Sequence, residues 1–319
     1  MKHAHPLPNS FEDALKMASA ILGTSPFLVE QGLVETESEQ IVIAAFRQAS
    51  GRGRSFGRND LYVRVMDVYP PSAGEKLVVM ANRRAHGEPL QYLIGYQYFL
   101  NHEYEVDANV LIPRPETEIL VFEATQTFKR QFEQPKLGIE IGVGSGCVSI
   151  ELLKLFPSLR MVATEVSEGA AIIAERNALK ILGSEFSDRL IVERANTPDE
   201  IFEPLERKSY DRGPRADFII SNPPYLASSE EVDSGVSQHE PKSALFAPAE
   251  DPLYFYRRIV EGAEAFIRPQ GFIFFECPHE RMSQIAGLFG SDWNVEVMND
   301  LTGRPRVLRA EWRGILVLN

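Results

Sequence analysis

The chain has 319 residues, of which 44% are apolar, 24% charged and 10% aromatic. That length suggests two domains, or one large domain with an appendage, and the composition excludes a disordered, collagen-like or fibrous protein. The formal charge is −12; residues 1–84 carry ten Lys/Arg against nine Asp/Glu, so the acidity lies in the remainder, where it disfavours a duplex nucleic acid as substrate.

Up to about residue 90 the periodicity is helical. In FEDALKMASAILG the residues Phe11, Leu15, Met17, Ala18, Ile21 and Leu22 recur at near-helical spacing, with Ser10 as N-cap and Gly23 as stop, and QIVIAAFRQAS and DLYVRVMDVY continue the pattern. Arg52, Arg54 and Arg58 in GRGRSFGR form a basic cluster that reads as a solvated turn. From Gln91 to Val110 aromatic and β-branched residues predict a β-hairpin, which sets the domains as a helical one over 1–90, a hairpin linker over 91–112 and a catalytic one over 113–319.

After Pro113 and Pro115 a helix through ETEILVFEATQTFKRQF precedes the buried strand LGIEIG, then helix CVSIELLKLF, strand RMVATEV, helix EGAAIIAERNALKIL and strands LIVE and ADFIISN. Helix PLYFYRRIVEGAEAFI, strand GFIFFE, helix ERMSQIAGLF and late strands at NVEVMN and RVLRAEW complete the series. Such alternation predicts a doubly wound α/β sheet with its ligand at the carboxyl ends of the first strands. No window approaches the roughly 18 unbroken apolar residues of a membrane helix. The opening residues lack the apolar core of a secretory signal, so a cytoplasmic protein is expected. The two cysteines, Cys147 and Cys277, lie far apart and read as buried small hydrophobes, not as a disulfide or a metal knuckle.

Three segments carry chemistry. Glu140, Ile141, Gly142, Val143 and Gly144, followed by Ser145 and Gly146, sit between strand and helix, where glycines let a ligand approach the backbone. Glu165, about twenty residues on at the end of the next strand, is placed to accept both hydroxyls of a ribose. Ser221-Asn222-Pro223-Pro224-Tyr225 follows the strand Ala216 to Ser221. Two consecutive prolines remove two N–H donors and leave their carbonyls as acceptors. Asn222 adds a side-chain carbonyl and Tyr225 an aromatic face, which together make an acceptor pocket for a planar NH2 group. Holding both N–H bonds of such a group positions it for attack on an electrophilic methyl without a strong base or a metal.

The Gly turn, the acid after the second strand and the NPPY tetrapeptide resemble the S-adenosylmethionine-dependent methyltransferases of amide and amino nitrogens. GEPLQYLIGYQYF (87–99), LIPRPETE (111–118), HEPKSALFAP (239–248) and DLTGRPRVL (300–308) narrow the resemblance to the HemK/PrmC family, which methylates N5 of the glutamine in the Gly-Gly-Gln loop of peptide chain release factors. The resemblance spans roughly residues 80–312 and implies a Rossmann-like, seven-stranded class I methyltransferase domain behind a small helical one. By the same resemblance Glu140 to Gly144 line the methionine end of the cofactor and Glu165 its ribose. Asn196 and Thr197 lie near adenine, and Asn222 with the Pro223 and Pro224 carbonyls grips the substrate amide. Arg114 and Glu116 take either structural or substrate-contact roles. The chain departs from the pattern in having Glu at 140 and 165 where the family has Asp, Asn196 where it has an acid, and Glu276-Cys277-Pro278-His279-Glu280 where it has a Gly-rich stretch ending in Gln. A Cys277–His279 nucleophilic pair is set aside in favour of local packing. The alternative substrates are a ribosomal-protein glutamine or the amine of adenine in nucleic acid. The expected partner is a release factor, with neither nucleic acid nor membrane.

Overall fold

The computed structural model describes residues 6–51, 56–131, 134–207, 215–227 and 239–314. Two compact units make up the chain, residues up to Tyr96 together with His239 in one and the rest from Gln97 in the other, so the division falls inside the 91–112 segment.

The first unit is helical: α1 (Phe11–Leu22), α2 (Pro26–Glu30), α3 (Val34–Ser50), α4 (Arg58–Val63), α5 (Pro71–Ala85) and α6 (Leu90–Ile94). Ser10 caps α1, its Oγ accepting from Asp13 N at 3.1 Å. The core is aromatic, with Phe11 at 5.1 Å from Phe46, 5.3 Å from Phe56 and 5.0 Å from Tyr69 between ring centres. Arg84 on α5 pairs in bidentate fashion with Glu37 on α3, Nε to Oε2 at 2.6 Å and Nη2 to Oε1 at 3.0 Å, with both side chains nearly buried. The helical pattern of DLYVRVMDVY stops at Val63, because the carbonyls of Val65 and Asp67 accept Glu12 N and Phe11 N at the start of α1 and are lost to a continuing helix. Arg58 opens α4 and pairs with Glu39 at 2.6 Å while its own side chain stays exposed to solvent; Arg52 and Arg54 lie outside the described residues.

The predicted hairpin is shorter than its sequence pattern. Leu90–Ile94 forms a helical turn closed by Gly95 at φ 85°, and only β1 (Tyr96–Phe99) and β2 (His102–Glu105) pair. Asn177, fully buried in α9 (Glu168–Leu182), fixes β2 by accepting Glu105 N at 2.7 Å and donating to Glu105 O at 3.0 Å. The same amide donates to Ser145 O at 2.9 Å, so one side chain holds both the hairpin and the Gly turn.

The second unit is built on a seven-stranded sheet of β3 (Leu137–Ile141), β4 (Arg160–Glu165), β5 (Leu190–Arg194), β6 (Ala216–Ser221), β7 (Ile267–Glu276), β8 (Trp293–Asn299) and β9 (Pro305–Trp312). The order is β5-β4-β3-β6-β7-β9-β8; all neighbours are parallel except β9, which runs antiparallel to β7 and β8. Side chains alternate between two cores. Phe218, Ile220, Phe272 and Phe274 pack with α7 (Pro115–Arg130), α8 (Cys147–Leu155) and α9, while Ile219, Ile273 and Phe275 pack with the helix Tyr254–Phe266 on the other face. Gly138 is required here, because a Cβ would stand 2.3 Å from Phe218 Cζ and 2.5 Å from Met161 Sδ. The chain reverses direction across the sheet at β3, so the carboxyl ends of β3, β4 and β6 frame a crevice.

Candidate functional site

A cavity opens at those strand ends, lined by Glu140 to Ser145, Thr164 to Ser167, Ala195 and Asn222 to Pro224, with Thr117 and Phe255 on its walls. Its floor is the turn after β3. Gly142, Gly144 and Gly146 all have left-handed φ, 77°, 52° and 83°, which a side chain would strain. At Gly142 and Gly144 a Cβ would meet nothing within 4 Å, so both positions face open space that a side chain would occupy. Gly142 N and Val143 N donate to Thr164 O at 2.9 and 3.2 Å, tying the turn to β4.

Glu165 at the end of β4 is held by three backbone N–H groups as well as lining the cavity. Its Oε2 accepts Gly144 N at 3.0 Å, and its Oε1 accepts Val166 N and Ser167 N, each at 2.9 Å. A carboxylate offers roughly four lone-pair directions, and three are filled by backbone. A diol gripped by both oxygens competes with at least one of those N–H groups.

Glu140 lines the cavity but is buried, its Oε2 accepting Ser149 N at 3.1 Å and the Ser149 hydroxyl. Burial raises its carboxyl to about 8, against the lowering effect of the Ser149 donors and with a further rise from Glu165. The carboxyl therefore braces the start of α8.

Asn196 and Thr197 are exposed and are not brought into the cavity. Ala195 lines it instead, its N–H held by Glu165 O at 3.0 Å, and the buried Ile201 returns to the lining four residues after Thr197. Tyr225 likewise lies off the cavity lining, half-buried against the core that holds Ile219 and Phe275, while Asn222, Pro223 and Pro224 line it. Ser221 Oγ donates to Ile141 O at 2.7 Å, locking the NPPY turn to the carboxyl end of β3. Asn222 Nδ2 donates to Thr117 Oγ1 at 3.2 Å, and Thr117 Oγ1 donates to Glu276 Oε2 at 2.7 Å.

Thr117, Ser243, Ala244 and Phe255 were not singled out from the sequence, although LIPRPETE and HEPKSALFAP contain the first three of these lining residues. Arg114 lines the cavity and pairs with Glu240, which also accepts Ile112 N at 3.1 Å. Cys277 is fully buried and His279 pairs with Glu280 at 3.2 Å, so the two form no nucleophilic couple; both cysteines are free and buried, as expected.

A parallel sheet ended by an antiparallel strand inserted between the last two, with a glycine turn after its first strand and an acid after its second, defines a Rossmann-like class I methyltransferase domain. No family model matches the chain. It is 34% identical over 234 residues to the release factor glutamine methyltransferase of Bacteroides thetaiotaomicron, covering 72% of this chain and 77% of that one. It is 33% identical over 270 residues to that of Geobacter sulfurreducens, covering 83% and 85%. It is 35% identical over 266 residues to a bifunctional methyltransferase of Rickettsia felis, covering 74% of this chain but only 47% of that longer protein, so the chain spans about half of that relative. The chain belongs to the release factor glutamine methyltransferase family.

Proposed function

We propose that this protein transfers a methyl group from S-adenosylmethionine to the side-chain amide nitrogen, N5, of the glutamine in the Gly-Gly-Gln motif of peptide chain release factors. The observation that carries the reading is the placement of two complementary features in one cavity, the side-chain-free Gly142 and Gly144 turn and the Asn222-Pro223-Pro224 acceptor turn.

The residues present fit the cofactor. A side chain at 142 or 144 would fill the floor, and Glu165 offers a carboxylate beside it. Glu140, Ile141, Gly142, Val143 and Gly144 would hold the methionine portion, and Glu165 a ribose hydroxyl. S-adenosylmethionine, when bound, supplies a methyl group on a positively charged sulfur. An amide nitrogen is a weak nucleophile because its lone pair is delocalised into the carbonyl. Asn222 Oδ1, to which no described residue donates, and the carbonyls of Pro223 and Pro224 are acceptors for its two N–H bonds. Acceptors at both bonds orient the nitrogen and favour localisation of its lone pair toward the methyl.

The helical unit is assigned to docking of the release factor. No helix among the described residues is long and apolar enough to cross a membrane. The reading places the protein in the cytoplasm with a protein, not a nucleic acid, as partner, and the net charge of −12 supports that choice. Intact-mass measurement of an unmodified release factor after incubation with the protein and S-adenosylmethionine, followed by peptide mapping, tests it. One added methyl group on the Gly-Gly-Gln peptide is expected. No gain, or a methyl elsewhere, overturns the substrate assignment.

A further inference from the structure

Threonine hydroxyls inside helices usually return to the carbonyl four residues back, as Thr125 and Thr127 do on α7, each at 2.8 Å. Thr117 lies in the first turn, where the residue four back, Pro113, precedes the helix, and its hydroxyl bonds elsewhere. Its hydroxyl reaches Glu276 at the end of β7 and receives the Asn222 amide. We propose that Thr117 and Glu276 are positioning residues that fix which way the Asn222 amide faces, NH2 toward Thr117 and carbonyl toward the incoming substrate amide.

A hydroxyl carries one proton. When Glu276 is ionised it can only accept, so the Thr117 proton is committed to it and Thr117 must accept from Asn222. That leaves Nδ2 as the only branch of the Asn222 amide able to face Thr117, and Oδ1 faces away. When Glu276 is protonated the direction reverses: its O–H can donate to Thr117, freeing the Thr117 proton to donate to Oδ1. The flipped amide then presents NH2, a donor, to a substrate NH2 group.

The burial of Glu276 has no compensating ion pair within bonding distance among the described residues, and a buried carboxylate is costly to the fold. The positioning role accounts for its presence. The groups that face it are mixed. Arg306 on β9 and Arg114 favour the charge, Glu116 on the first turn of α7 opposes it, and Tyr225, Tyr256 and the neighbouring Cys277 are neutral. Burial is the largest influence and places the Glu276 carboxyl at about 7, so the relay reverses near neutral pH.

The relay rests on the proposed function only for what the oriented amide does, and its test separates the two. The side-chain NH2 resonances of Asn222 in the full-length protein, assigned by their loss in Asn222→Ala, are followed between about pH 5.5 and 8.5. They are expected to shift with a midpoint at about 7, and to stop titrating in Glu276→Gln and Thr117→Val. A wild-type resonance that does not titrate, or one that still titrates in Glu276→Gln, overturns the relay. In the methylation assay Thr117→Val should lower kcat ~10- to 100-fold at unchanged cofactor affinity, and Thr117→Ser should restore it to within about threefold. Turnover within about twofold of wild type in a folded Thr117→Val protein also overturns it. Absence of wild-type methylation with the titration intact counts against the release-factor reading alone.

Discussion

The Glu165 carboxylate accepts the backbone N–H of Gly144 at 3.0 Å, across the gap between the end of β4 and the turn after β3. One side chain thus both shapes the glycine turn and stands beside the space the turn encloses. Glu165→Ala removes a charge-assisted hydrogen bond worth about 1.5–3 kcal/mol and should weaken S-adenosylmethionine binding ~10- to 100-fold. Calorimetric titration checks this; an affinity within about twofold of wild type would show that the turn and the cofactor are independent of Glu165.

Glu140 gives the fold a pH dependence. Its carboxyl sits at about 8 in the native protein, chiefly through burial, and returns to the ordinary carboxylate range on unfolding. The folded state therefore binds a proton that the unfolded chain releases. Its contribution to stability is complete below the ordinary carboxylate range and is lost as the pH rises to about 8. Glu140→Gln keeps an acceptor for Ser149 and should be more stable than wild type at pH 8 by on the order of 2–4 kcal/mol, with little difference at pH 4. Urea unfolding at both pH values measures this, and parallel pH dependences would contradict it.

In the helical unit the stability of the α3–α5 contact turns on Arg84 and Glu37. Arg84→Ala leaves the Glu37 carboxylate buried without a partner and should cost about 3–5 kcal/mol. Replacing both, as Arg84→Met with Glu37→Leu, should recover most of that loss, because the penalty lies in the orphaned charge. Denaturant midpoints of the single and double variants decide between this and simple loss of packing, in which the double variant would be the less stable.

Much of the second unit was legible in the sequence. Buried strands of five or six residues between helices, such as LGIEI and ADFIIS, state their type through apolar runs bounded by Gly and Pro. The glycine turn, Glu165 and Asn222 were legible for the same reason, since each follows directly from the end of a strand. Local pattern could not give the partners those residues take. Thr117 and Glu276 lie 159 positions apart, and only the sheet order brings them together. Nor could it show that Asn196 and Thr197 face solvent directly after Ala195, whose N–H is held by Glu165 O. The hairpin began later than its aromatic pattern because Gly95, at φ 85°, closes a helical turn first.

In the proposed function the turn after β6 presents acceptors to a substrate amide while the turn after β3 holds the cofactor. Asn222→Ala separates the two, since its side chain lines the cavity from the β6 side and bonds only to Thr117 among the described residues. Turnover on a release factor and the dissociation constant for S-adenosylmethionine, measured on the same preparation, test it. A loss of ~100- to 1,000-fold in kcat is expected, with the dissociation constant changed less than about threefold. Unchanged turnover would contradict it.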